Sequence, residues 1–172
     1  MKRTVYFIAL NAIVAALYAA LTVVISPLAY GDVQFRFTEI MIFLALYDKR
    51  FIPGLILGCF IANLFSPMIA YDLTFGTAAT AIAVVAISFV GKFVKEERVS
   101  LFIVPFIGAI ANGLLVGLAL HLAFDLPYIA TVLSVGLGEI SVLLAGSFIF
   151  LYIGKISAVR RFLCWQTSSL SA

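Results

Sequence analysis

The sequence predicts an all-α integral membrane protein, a single membrane domain of six transmembrane helices with both termini cytoplasmic. Three observations point there. Of 172 residues, 65% are hydrophobic and 11% charged, and the mean hydropathy of +1.21 lies far outside the range of soluble domains. The few charges are grouped, so short polar punctuation divides the chain into long apolar stretches. When these are threaded through a bilayer from a cytoplasmic N-terminus, Lys2, Arg3, Lys49, Arg50, Lys92, Lys95, Arg98, Lys155, Arg160 and Arg161 all fall inside. Arg36 is the one basic residue on the other side, which carries Asp32, Asp72 and Asp125.

A spanning helix needs ~20 apolar residues, fewer where one end sits in headgroups or a cavity. The expected helices are 5–27, 37–47, 51–66, 75–93, 101–124 and 128–153, followed by a loose tail, 162–172. The first follows Lys2 and Arg3, as in a signal peptide. Its apolar run is longer than a signal's core, however, and five more spans come after it. The second and third are short and separated only by Asp48, Lys49 and Arg50, so they are either two short spans or one broken hairpin. The apolar runs are continuous, whereas a membrane barrel would alternate over ~10-residue strands. Helices also satisfy their own backbone in hydrocarbon.

The net charge of +3 does not point to nucleic acid, because the basic residues mark helix ends and orientation. Cys59 and Cys164 sit at different levels and imply neither disulfide nor metal. One histidine cannot build a zinc or haem site, and HExxH, GxSxG and CxxC are absent. So is GxxxxGK[ST], which leaves this chain with no cofactor of its own and no P-loop for ATP. The enzyme class is disfavoured. The energy for transport would come from partners or from ion coupling.

Small residues mark close helix contacts. Gly54 with Gly58, and Ala109 with Gly113 and Gly117, suit internal packing. Ala12, Ala16 and Ala20 form a smooth stripe on the first span, available either to a neighbouring helix or to a separate protein.

Polar residues within the spans are costly in lipid and mark a cavity. Residues 31–39, GDVQFRFTE, put Asp32, Gln34, Arg36 and Glu39 at the outer start of the second helix. Asn63 lies near the outer end of the third, with Tyr71 and Asp72 in the following external loop and Phe75 just beyond. Asn112 is halfway along the fifth helix and His121 near its outer end. Glu139 is about 16 Å into the sixth at 1.5 Å per residue. Asn11, in the first helix, is the clearest polar residue of the cytoplasmic half. These positions predict an outward-opening pocket floored by Asn112 and Glu139, and Glu139 is the first candidate for ligand contact. Local pairing of Arg36 with Asp32 or Glu39, interhelical glue for the asparagines, and interfacial packing of His121 are the structural alternatives.

The stretch GDVQFRFTE, with IPGLILGCFIANLF (52–65), DLTFGTAAT (72–80) and LPYIATVLSVGLGEISVLLAG (126–146), resembles the QueT family. RFTE stands here where RISE is common. These are predicted queuosine-precursor carriers among the substrate-binding S components of energy-coupling factor (ECF) transporters. The resemblance implies a vitamin-capturing subunit of a bacterial plasma membrane. Its partners would be a transmembrane coupling protein and two cytoplasmic ABC ATPases that bind the ATP, docked through Ala12, Ala16 and Ala20. It also implies that the subunit topples in the bilayer to deliver its ligand. An aminomethyl deazaguanine would offer a cation to Glu139 and Glu39. It would present an edge to Asn112, Asn63 and Gln34, and a flat ring to Phe35, Tyr71 or Phe75. Hydroxymethylpyrimidine would use similar groups. A self-sufficient carrier coupling protons through Glu139 or Asp72 is the alternative from another class, and a membrane-embedded enzyme comes third.

Overall fold

Helices order the chain throughout the computed structural model, which describes residues 2–25 and 36–156; no strand occurs among them. Asp32, Gln34 and the tail 162–172 lie outside the described residues. Six helices follow one another: α1 (Lys2–Val24), α2 (Phe37–Tyr47), α3 (Ile52–Asn63), α4 (Ile69–Phe93), α5 (Glu97–Phe124) and α6 (Tyr128–Ile153). By length and composition α1, α4, α5 and α6 are able to cross a bilayer. The 12 residues of α3 extend only ~18 Å at 1.5 Å each.

The second and third spans are separate helices. Asp48 ends α2 in an extended conformation and accepts the Arg50 amide at 2.9 Å, starting a 3₁₀ turn, Lys49–Phe51, that leads into α3. The first seven residues of α2, Phe37–Phe43, are themselves wound as 3₁₀ helix.

Six expected boundaries shift, the first helix beginning at Lys2 rather than 5 and the third at Ile52 rather than 51. The first helix ends at Val24 rather than 27, and the third at Asn63 rather than 66. Beyond Asn63 the amides of Leu64, Phe65 and Ser66 bond three residues back, tightening the chain ahead of Pro67. The fourth helix begins at Ile69, not 75. The Ser66 hydroxyl accepts the Met68 amide at 2.9 Å, so the chain re-enters helix directly after the proline. Tyr71 and Asp72 therefore belong to a helix and not to an external loop. The fifth begins at Glu97, not 101; Ser100 closes its first turn by bonding back to Glu96.

The bundle is built from two close helix pairs and a helix held between them. In the α1–α3 pair, a methyl at Gly54 would sit 2.8 Å from the Asn11 carbonyl, and one at Gly58 2.7 Å from the Tyr18 Cβ. Asn11 is buried here, its side-chain oxygen accepting the Gly54 amide at 2.6 Å. In the α5–α6 pair, Gly113 and Gly117 make room for Val132. The intervening α2 packs against α1, α4 and α6 and buries Ile42, Phe43, Ala45 and Leu46. Phe43 stacks on Phe150 with centroids 5.1 Å apart. Meanwhile the outer surface exposes large apolar side chains such as Ile8, Phe93, Ile110, Ile129, Leu137 and Phe148. A bundle apolar outside as well as inside is matched to lipid.

Candidate functional site

At one end of the bundle, where α1, α3 and α5 finish and α2, α4 and α6 begin, polar side chains converge on the interior. Arg36, Glu39, Asn63, Asp72, Asn112 and Glu139 are 3% exposed or less. Their burial within an otherwise apolar body demands partners, and each finds at least one on another element of the chain.

Glu39 sits one 3₁₀ turn into α2, its amide bonded to the Arg36 carbonyl. Its Oε1 accepts two hydrogen bonds, from the Tyr18 hydroxyl on α1 at 2.5 Å and from Thr80 on α4 at 3.1 Å. With the Thr80 proton committed to Glu39, the Cys59 thiol, 3.3 Å from the Thr80 oxygen, is the donor in that pair. Beside them Thr22 donates to the Tyr18 carbonyl and, 2.7 Å away, receives the Thr38 hydroxyl proton. Glu39 Oε2 is buried with no hydrogen-bond donor among the described residues.

Asp72 opens a π turn, Asp72–Gly76, set inside α4. Widened turns of this kind often occur at functional sites. Here the turn brings three residues together. Asp72 pairs with Arg36 at 3.2 Å and accepts the Ser66 hydroxyl, while Asn63 donates to the Asp72 carbonyl at 2.8 Å. Gly76 is needed at the close of the turn: a methyl there would lie 3.1 Å from the Asn63 amide and 3.4 Å from Arg36.

Asn112 on α5 donates to the Gly108 carbonyl and to Glu139 Oε1 on α6, both at 3.3 Å. Its own Oδ1 is buried without a donor among the described residues. Glu139 therefore finds its neighbour in Asn112, and Arg36 pairs with Asp72; its expected partner Asp32 lies outside the described residues. The cluster is rich in acceptors, and its side chains are buried.

Tyr71, Phe75 and His121 stand apart from it. Tyr71 stacks on Phe75 and reaches the Leu122 carbonyl at 3.4 Å, at the rim between α4 and α5. His121 bonds the Leu126 carbonyl at 2.5 Å and leans on Tyr128, closing the α5–α6 turn in which Asp125 takes a left-handed conformation. Ala12, Ala16 and Ala20 are exposed along α1, on the side away from Tyr18 and α3. On the outer face of α5 and α6, a groove of about 290 Å³ around Ala109, Val132 and Gly136 has only apolar residues along it. It offers a soluble solute nothing to bond.

The profile described as QueT transporter matches residues 8–155, which takes in α2 to α6, all but the first six residues of α1, and the whole buried cluster. The chain belongs to the QueT transporter family. It is 28% identical to the queuosine precursor transporter QueT of Lactococcus lactis subsp. cremoris (strain MG1363) over 163 residues, 90% of this chain and 95% of that one. No solved structure matches it significantly. Membership of a transporter family, with several helices apolar enough to span, makes this a multi-pass membrane protein.

Tyr18, Thr80, Thr38, Cys59 and Ser66 are members of the cluster that sequence reasoning missed. One signal was present. Asn11, Tyr18 and Thr22 recur at seven and four residues on the first helix, one face of it, opposite the alanines.

Proposed function

We propose that this chain is the substrate-capturing S component of an ECF-type importer and that its solute is a queuosine precursor carrying an aminomethyl group. The observation that carries this reading is the acceptor excess in the buried cluster: Glu39 Oε2 and Asn112 Oδ1 lack donors among the described residues. An amine-bearing deazaguanine supplies N–H donors and a positive charge where the protein supplies acceptors and carboxylates. The name of the similar Lactococcus protein favours the same solute.

In this reading the chain makes six passes of a bacterial plasma membrane with both termini cytoplasmic, placing the cluster toward the outside. Partner subunits provide the energy: a transmembrane coupling protein and two cytoplasmic ABC ATPases, which bind ATP. The exposed alanine face of α1 is their docking surface. Close approach over small residues is a common basis of helix association in lipid.

Co-purification with mass spectrometry of retained solute tests both halves. A tagged chain should bring down stoichiometric coupling protein and ATPases, and release an aminomethyl deazaguanine on denaturation. Uptake that persists without the ATPases and collapses with the proton gradient would replace this reading with a self-sufficient carrier. Retention of hydroxymethylpyrimidine would keep the role and change the solute.

A further inference from the structure

The buried cluster holds three carboxylates, Glu39, Asp72 and Glu139, and one guanidinium, Arg36, which is engaged by Asp72. Glu39 and Glu139 form no ion pair among the described residues. The two carboxylates approach a common interior. Ile42, one 3₁₀ turn beyond Glu39, lies 3.5 Å from the Cβ position of Gly108, and Glu139 Oε1 lies 3.4 Å from it.

Within that interior, Glu39 and Asn112 share one arrangement. Two donors from different helices fix Glu39 Oε1, and two acceptors fix the Asn112 amide nitrogen. In each case the remaining oxygen points somewhere definite and is buried without a donor. An orphaned acceptor at such depth is costly unless something fills it. Glu39 Oε2 and Asn112 Oδ1 are both acceptors, so what fills these two positions donates to each. Glu139 is differently employed: its Oε1 receives the Asn112 amide and so turns Asn112 Oδ1 away.

Resting on the uptake role proposed above, we infer that Glu39 Oε2 receives the cationic amine of the solute. Asn112 Oδ1 accepts from a ring or exocyclic N–H at the other end. Tyr18 and Thr80 are positioning residues: they touch no solute, and they hold Glu39 so that one oxygen faces it. The site then distinguishes two deazaguanines that differ only at the side arm. The aminomethyl form places a cation at Glu39, whereas the nitrile form places an acceptor there and leaves two acceptors facing one another. Solutes bearing a carboxylate are repelled for the same reason.

The test is calorimetric titration of the detergent-purified chain with 7-aminomethyl-7-deazaguanine and its 7-cyano counterpart. The wild type should prefer the amine by more than about 100-fold, because a site built to bond a donor rejects the analogue lacking it. Glu39→Gln should weaken the amine about 10- to 100-fold and tighten the nitrile, to which the glutamine amide offers an N–H donor. Tyr18→Phe and Thr80→Val should each lower amine affinity about tenfold and narrow the amine-to-nitrile ratio by the same factor. A purely structural role would weaken both compounds alike and preserve the ratio, which would overturn the positioning assignment. Equal binding of both compounds by the wild type would overturn the inference without any variant having to fold. Binding of neither would reject the queuosine-precursor solute itself, and the inference with it.

Discussion

Arg36 and Asp72 form a buried ion pair, 3.2 Å apart, that ties the residue preceding α2 to the π turn of α4. Neither residue is near the other in sequence, and their pairing sets how α2 enters the bundle. Removing one partner takes this ion-pair contact from a buried charge, which costs up to ~3–5 kcal/mol. Asp72→Asn should therefore lower the thermal midpoint of the detergent-solubilised protein sharply. The paired change Arg36→Met with Asp72→Leu should recover most of the loss. A single substitution as stable as the wild type would show that the pair does not hold α2.

The α1–α3 contact depends on Gly58. An added methyl would meet the Tyr18 Cβ at 2.7 Å and the Ala15 backbone at 3.0 Å, and backbone yields poorly. Gly58→Ala should cost ~1–3 kcal/mol by overpacking. Since Tyr18 also holds Glu39, solute affinity should fall together with stability. Parallel melting and titration of this variant checks the link.

Glu139→Gln and Glu139→Leu separate charge from orientation at α6. The glutamine keeps an oxygen to accept the Asn112 amide, so its loss should be modest, about 1 kcal/mol. The leucine leaves that amide without its partner and should bind more weakly still. Equal affinities for the two variants would remove the Asn112 contact from the site.

Ala16 is exposed on α1 and touches none of the buried cluster's hydrogen bonds. On the docking role proposed for this face, Ala16→Leu should leave folding and solute binding unchanged while reducing the yield of the proposed complex with a coupling protein and ATPases. Complex formation at wild-type yield would assign this face to lipid.

The helices were legible because hydrocarbon makes a demand that composition answers directly. α6 begins and ends where its apolar run does, at Tyr128 and Ile153. The start of α4 was hidden because Asp72 reads as a loop residue until its partner, 36 positions earlier in the chain, is known. Hydropathy also cannot register a π turn, which alters winding rather than polarity. Glu39, Asn112 and Glu139 stood out as polar residues in apolar surroundings. Tyr18 and Thr80 did not, since both are ordinary residues of membrane helices and acquire their role only from the carboxylate they meet. His121 and Tyr71 were grouped with the cluster by depth, and Phe75, with Tyr71, as an aromatic face for a ring. Depth says nothing about which way a side chain faces.

The 3₁₀ winding of Phe37–Phe43 has a consequence for how such a site is able to change. At three residues per turn, positions three apart stand in a straight row instead of spiralling, about 6 Å between neighbours. Arg36, Glu39 and Ile42 make that row, all three buried, so a cation, a carboxylate and an apolar stop are ruled along one edge in fixed order. Gaining or losing a single residue between 36 and 42 would bring Thr38 or Ile40 to the middle mark while hardly altering the hydropathy profile. Two chains with the same profile and the same six helices would then select different solutes, and the spacing of this short row would be the place to look for the difference.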